Sequence, residues 1–157
     1  MRINLICIGK TDDKEIISLI KYYLPRIPKH WNFEIIEIPD IKNAKNLTAD
    51  QLKKEEAKLF LNQIESNELV ILLDEKGKQF TSREFSEKID FWMGSSVKKI
   101  NILIGGAYGF SEEIYARSNE KISLSKMTFT HQMIRLFFVE QIYRAATILQ
   151  GKPYHND

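Results

Sequence analysis

Apolar runs of strand length, separated by segments of helix length, recur along this chain and leave it few architectures to adopt. The barest is Leu69-Val70-Ile71-Leu72-Leu73, five apolar residues without polar alternation, which is the pattern of a strand buried on both faces. Ile3 to Ile8 stops at Gly9, Phe33 to Ile38 at Pro39, and Lys99 to Ile104 at Gly105; Lys121 to Ser125 supplies a fifth strand. Between them lie helix patterns. Ile16, Ile20, Tyr23 and Leu24 share one face behind Asp12 and Asp13, and Pro25 and Pro28 end that helix. Thr48 with Gln51, and Thr81 with Glu84, have capping-box spacing. They open helices expected to run to about Glu65 and to Met93, the second stopped by Gly94. Asp74 to Gln79 is expected to be a turn around Gly77, and a short helix is expected from Ser111 to about Ser118. With a last helix from His131 to Gln150, the order βαβαβαβαβα predicts an α/β fold with a mainly parallel sheet and helices on both faces. Residues 1–157 are read as one domain, a length that can bury a sizeable core.

The last helix is apolar on two sides. At about 100° per residue, Ile134, Phe138, Ile142, Ala145 and Leu149 form one face. Met133, Leu136, Val139, Tyr143 and Ala146 occupy much of the other. Such a helix must be covered twice, by its own sheet and, on this reading, by a second subunit: a homodimer is expected.

Charge and cysteine content narrow the function classes. A net charge of +2, from 23 Lys and Arg against 21 acids, permits local basic patches but does not by itself indicate nucleic acid. Cys7 is the single cysteine, so neither an intrachain disulfide nor a zinc cluster is available and no metal site is expected. No apolar stretch reaches the roughly eighteen residues of a membrane span. A reducing, cytoplasmic setting is expected.

Motifs with familiar chemistry are mostly absent. Gly9-Lys10-Thr11 suggests a phosphate loop, but the glycine that loop requires five residues earlier is Asn4. Gly105-Gly106-Ala107-Tyr108-Gly109 lacks dinucleotide-fold spacing, and there is no nucleophile elbow or zinc-peptidase motif. What remains is a pair of ligand-competent loops about twenty-five residues apart. The first is a glycine strand end, where backbone can approach a ligand because no Cβ intervenes. The second is Leu124-Ser125-Lys126-Met127-Thr128-Phe129 before the last helix. His131 and Arg135 follow on one helical face, and Pro153-Tyr154-His155 ends the chain with an aromatic and an imidazole.

Taken together, Gly105-Gly106-x-x-Gly109, Leu124 to Phe129 with His131 and Arg135, Glu140-Gln141-x-Tyr143-Arg144-Ala145 and Pro153-Tyr154-His155 resemble the RlmH family, bacterial methyltransferases of the SPOUT superfamily. The resemblance runs from the first strand to the last residues. It implies a C-terminal trefoil knot, an obligate homodimer and S-adenosylmethionine as methyl donor. The implied substrate is 23S rRNA within the assembled ribosome, methylated on N3 of a pseudouridine. It also implies a cofactor pocket formed by Leu73, Gly105 and the loop residues Leu124, Ser125, Lys126, Met127, Thr128 and Phe129. One departure stands out: where the family commonly has proline, this chain has Thr130, which can cap the helix instead.

Methyl transfer needs nucleophile, methyl carbon and leaving sulfur held in line, and the imide nitrogen must lose its proton. His131, Arg135, Arg144, Tyr154 and His155 are the candidates for that work, unranked. A binding module that kept the pocket without catalysis, or a flavodoxin-like domain, is the alternative. Calorimetry against S-adenosylmethionine and against FMN separates the three.

Overall fold

The sheet is built by the apolar runs in the order β2-β1-β4-β3-β5. The computed structural model describes residues 1–156. Its strands are β1 (Arg2–Ile8), β2 (Phe33–Ile38), β3 (Leu69–Gln79), β4 (Lys99–Ile104) and β5 (Glu120–Ser123), and every strand pair is parallel. The helices are α1 (Lys14–Tyr23), α2 (Ala49–Leu61), α3 (Ser82–Gly94), α4 (Glu112–Arg117) and α5 (His131–Leu149).

Alternate strand residues point to opposite faces, and each face is covered. Ile3, Leu5, Ile71, Ile100 and Ile102 pack with Phe85, Ile89 and Trp92 of α3 and with Phe138, Val139 and Ile142 of α5. Ile6, Val70, Leu72 and Leu103 pack with Ala57 and Phe60 of α2 and Ile114 of α4. At the sheet's centre Asn4 donates to Asn101 at 3.0 Å across the β1–β4 pair, and Asn101 donates to Glu68 at 2.7 Å.

Local signals place the helix starts. Thr48 and Thr81 each form a complete capping box, and Asp13 and Ser111 accept from Ile16 and Ile114 as N-caps. Thr130 caps α5, its hydroxyl accepting from the Met133 amide at 3.2 Å. The expected ends are less well met, because α2 stops at Leu61 and does not run to Glu65.

One expectation is corrected. The segment Asp74 to Gln79 is not a free turn, since β3 continues to Gln79 with an irregularity between Leu73 and Lys78, both of which pair with Ile122 of β5. Gly77 permits this: a Cβ there would lie 2.6 Å from the Ile122 backbone. The two-sided apolar character of α5 is met largely within the chain. The helix packs on α3 and α1 as well as on the sheet; Leu136 joins Ile16 and Ile20 of α1, and Val139 is fully buried. What stays exposed is Phe137 and Leu149 of α5, with Leu19 and Tyr22 of α1.

Candidate active site

At the carboxyl ends of β3, β4 and β5 the chain encloses a cavity of about 440 Å³. One wall begins where β4 runs out of side chains. Gly105 leads into a tight turn in which the Gly109 amide donates to Gly106 O at 3.0 Å, with Gly109 at φ +75°. Glu56 of α2 reaches up from below, and its buried carboxylate accepts from the Gly106 amide; a Cβ on Gly106 would collide with it. Burial pushes the Glu56 pKa up, the Gly106 bond opposes this, and the nearby Asp40 charge adds to it.

The second wall is the loop after β5. Ser123 Oγ donates to Ser125 O at 2.7 Å, and Ser125 Oγ accepts from the Met127 amide at 3.0 Å. Thr128 donates to Glu75 at 3.2 Å, and the Phe129 ring packs edge-on against Phe137 at 5.0 Å. The third wall is the irregular part of β3. Asp74 accepts from Tyr115 Oη at 2.5 Å and from the Lys76 amide at 2.8 Å. Burial, then the bond to Asp74, raise the Tyr115 pKa far above the ordinary phenol range, so it stays a donor.

Of the residues expected in a cofactor pocket, Leu73, Gly105, Leu124, Ser125, Met127, Thr128 and Phe129 line this cavity. Lys126 is exposed and does not. His131 lines it too, and its pKa is lowered by burial and then by the Arg135 charge, so its neutral form is favoured. Asp74, Glu75, Lys76, Tyr108 and Tyr115 also line it, and the sequence reading missed them as site residues. Asp74 to Lys76 directly follow the run Leu69 to Leu73, so the strand-end rule that singled out Gly105 could have found them.

Arg135 lies elsewhere. It is buried, donating to Ile8 O at 2.6 Å and Thr11 Oγ1 at 2.9 Å, with Glu37 at 3.7 Å. Gln132 beside it bonds Asp12 at 3.0 Å, so the start of α5 is clamped to the loop after β1. Removing a buried, bonded charge partner leaves its acceptors unsatisfied. Arg135→Ala is expected to lower unfolding stability by about 3 kcal/mol, measured by urea denaturation; a loss within about 0.5 kcal/mol would show that the clamp is unimportant.

Arg144, Tyr154 and His155 form a separate cluster around Glu140. Arg144 and Tyr154 donate to that carboxylate at 2.5 and 3.0 Å, Arg144 lies over the Tyr154 ring, and its Nη1 is 3.3 Å from His155 Nδ1. Glu140 also borders a second cavity of about 280 Å³, which shares Ile122, Ser123, Leu124 and Phe129 with the first.

Comparison with known proteins covers nearly the whole chain. The family model described as "Predicted SPOUT methyltransferase" matches residues 1–155. A protein of Christiangramia forsetii named "Ribosomal RNA large subunit methyltransferase H" is 54% identical over 156 residues, covering 99% of each chain. The chain belongs to the RlmH family of SPOUT methyltransferases. Proteins of the same name from Flavobacterium johnsoniae, 51% identical over 99% of each chain, and Parabacteroides distasonis, 50% over the full length of both, are further RlmH relatives. Among the described residues no group of His, Cys, Asp and Glu could hold a metal ion, and no helix is long and apolar enough to cross a membrane.

Proposed function

We propose that this chain transfers a methyl group from S-adenosylmethionine to N3 of a pseudouridine in 23S rRNA of the assembled ribosome, in the cytoplasm. The observation that carries the reading is the convergence of Leu73, Gly105 and the loop from Leu124 to Phe129 on one cavity, in a chain related over its full length to large-subunit rRNA methyltransferases. The cavity suits the cofactor. Its volume, about 440 Å³, falls within the range of roughly 300–1,000 Å³ usual for small-molecule sites. Gly105 and Gly106 leave backbone bare along one wall, and the carboxylates of Asp74 and Glu75 favour a cationic ligand.

When bound, S-adenosylmethionine supplies an electrophilic methyl carbon, so no metal is required. Leu73, Ile104, Leu124 and Ile134 offer apolar wall, and the two hydrogen-bonded loops hold their shape before anything binds. His131, neutral and on the cavity wall, is the group placed to take the imide proton. Its lowered pKa keeps that neutral form to a more acidic pH than free imidazole. The acid limb of kcat/KM is therefore expected below about 6.5, and His131→Asn should abolish that limb. A limb that persists in the variant would place the base elsewhere.

The acting unit is a homodimer of single domains spanning residues 1–157, with the apolar side chains left exposed on α1 and α5, Leu19, Tyr22, Phe137 and Leu149, as its contacts. Arg144, Tyr154 and His155 then serve the partner's cavity, since in their own chain they gather around Glu140 outside the main one. The C-terminal segment is threaded as a trefoil knot. The decisive experiment incubates unmethylated ribosomes with the protein and labelled S-adenosylmethionine, then maps 23S rRNA by mass spectrometry. Absence of a methylated pseudouridine would overturn the reading.

A further inference from the structure

Around the cavity most rings are engaged. Phe129 packs on Phe137, Phe110 on Tyr115 at 6.0 Å, and Phe60 on Phe110 at 6.0 Å. Tyr108 is different. It lines the cavity yet is 61% exposed, and among the described residues its ring has no aromatic or cationic partner. Its backbone is held, because it sits inside the Gly106–Gly109 turn, closed by the 3.0 Å bond between those residues and braced by Glu56. Met127, on the other loop, lines the same cavity and is 75% exposed. Two large apolar side chains at one mouth, the aromatic one on a fixed turn, form a surface prepared for a flat apolar face.

We propose that Tyr108 is the platform on which the target base of the RNA stacks as it enters the cavity. This rests on the methyltransferase reading above. A base held in a helix cannot bring a ring nitrogen to the floor of a pocket, so it must be splayed out, and an unstacked base regains contact on an aromatic side chain. A ring on a fixed turn provides that contact with little ordering of the protein.

The test uses ribosomes from cells lacking the methyl mark, labelled S-adenosylmethionine, and Tyr108→Ala, Tyr108→Leu, Tyr108→Phe and Tyr108→Trp. Loss of one base–aromatic stack predicts a KM for ribosomes raised about tenfold or more in the Ala and Leu variants, with cofactor affinity by calorimetry unchanged. Phe and Trp should act like the native protein. The idea is overturned if Ala leaves KM unchanged, if Phe falls as far as Ala, or if cofactor affinity falls in parallel. It is also overturned if Ala dissociates the dimer in sedimentation, which would make Tyr108 an interface residue. Native protein that leaves ribosomes unlabelled removes the methyltransferase reading itself, whereas labelling by native and Ala proteins alike removes only the stacking role.

Discussion

Gly105→Val is expected to fold and to lose S-adenosylmethionine binding by about 100-fold or more, roughly 3 kcal/mol. The position tolerates the residue locally, because Gly105 is not in the left-handed region and follows directly on β4, where β-branched side chains fit. The space is what fails. A Cβ at Gly105 would already stand 3.2 Å from the Gly109 carbonyl carbon, and the two methyl groups beyond it must push that turn or enter the cavity. Gly105→Ala adds only the Cβ and should lose affinity to a lesser degree. Calorimetry together with urea unfolding separates binding from folding; a stable Gly105→Val protein with native affinity would remove Gly105 from the cofactor site.

Mixing two inactive proteins should restore methylation. One is Gly105→Val with its tail intact; the other keeps its pocket but lacks Pro153 to Asp157. Each alone should have activity reduced at least about 100-fold, a loss equal to roughly 2.7 kcal/mol of transition-state stabilisation. In the structure the tail lies against Glu140 of its own α5, with Tyr154 also stacked edge-on against Tyr143 at 4.8 Å. If that cluster faces the partner's cavity, a mixed dimer holds one complete site. Mixed dimers shown to form by differential tagging, yet remaining inactive, would overturn the shared site, the tail then serving its own subunit or none.

What was legible in the sequence was what short stretches decide. Thr48, Thr81 and Thr130 cap helices through amides three residues away, and the run Leu69 to Leu73 needs no partner to be recognised as a strand whose middle, Val70 to Leu72, is buried. The continuation of β3 to Gln79 was not legible, because it depends on Ile122, more than forty residues later, lying against Gly77. The site divides the same way. Gly105 and the loop from Leu124 to Phe129 announced themselves by composition and by family likeness. The brace from Glu56 to Gly106 joins residues fifty apart, and nothing near Glu56 distinguishes it from the other acids of α2. Arg135 looked available for an anion because helical spacing put it beside His131; only the packing shows its guanidinium committed to Ile8 and Thr11. The apolar second face of α5 invited a partner subunit, and α1 and α3 take up much of it.

The pairing of β1 with β4, sealed where Asn4 meets Asn101, has a consequence for how the chain is made. Those residues are 97 positions apart, so during synthesis β1 can complete only its edge toward β2. Its other edge waits unpaired until Ile104 has left the exit tunnel. At about 5–20 residues per second that interval lasts several seconds. The middle of the sheet is therefore among the last parts to close, and the nascent chain carries an open apolar strand through most of its own translation.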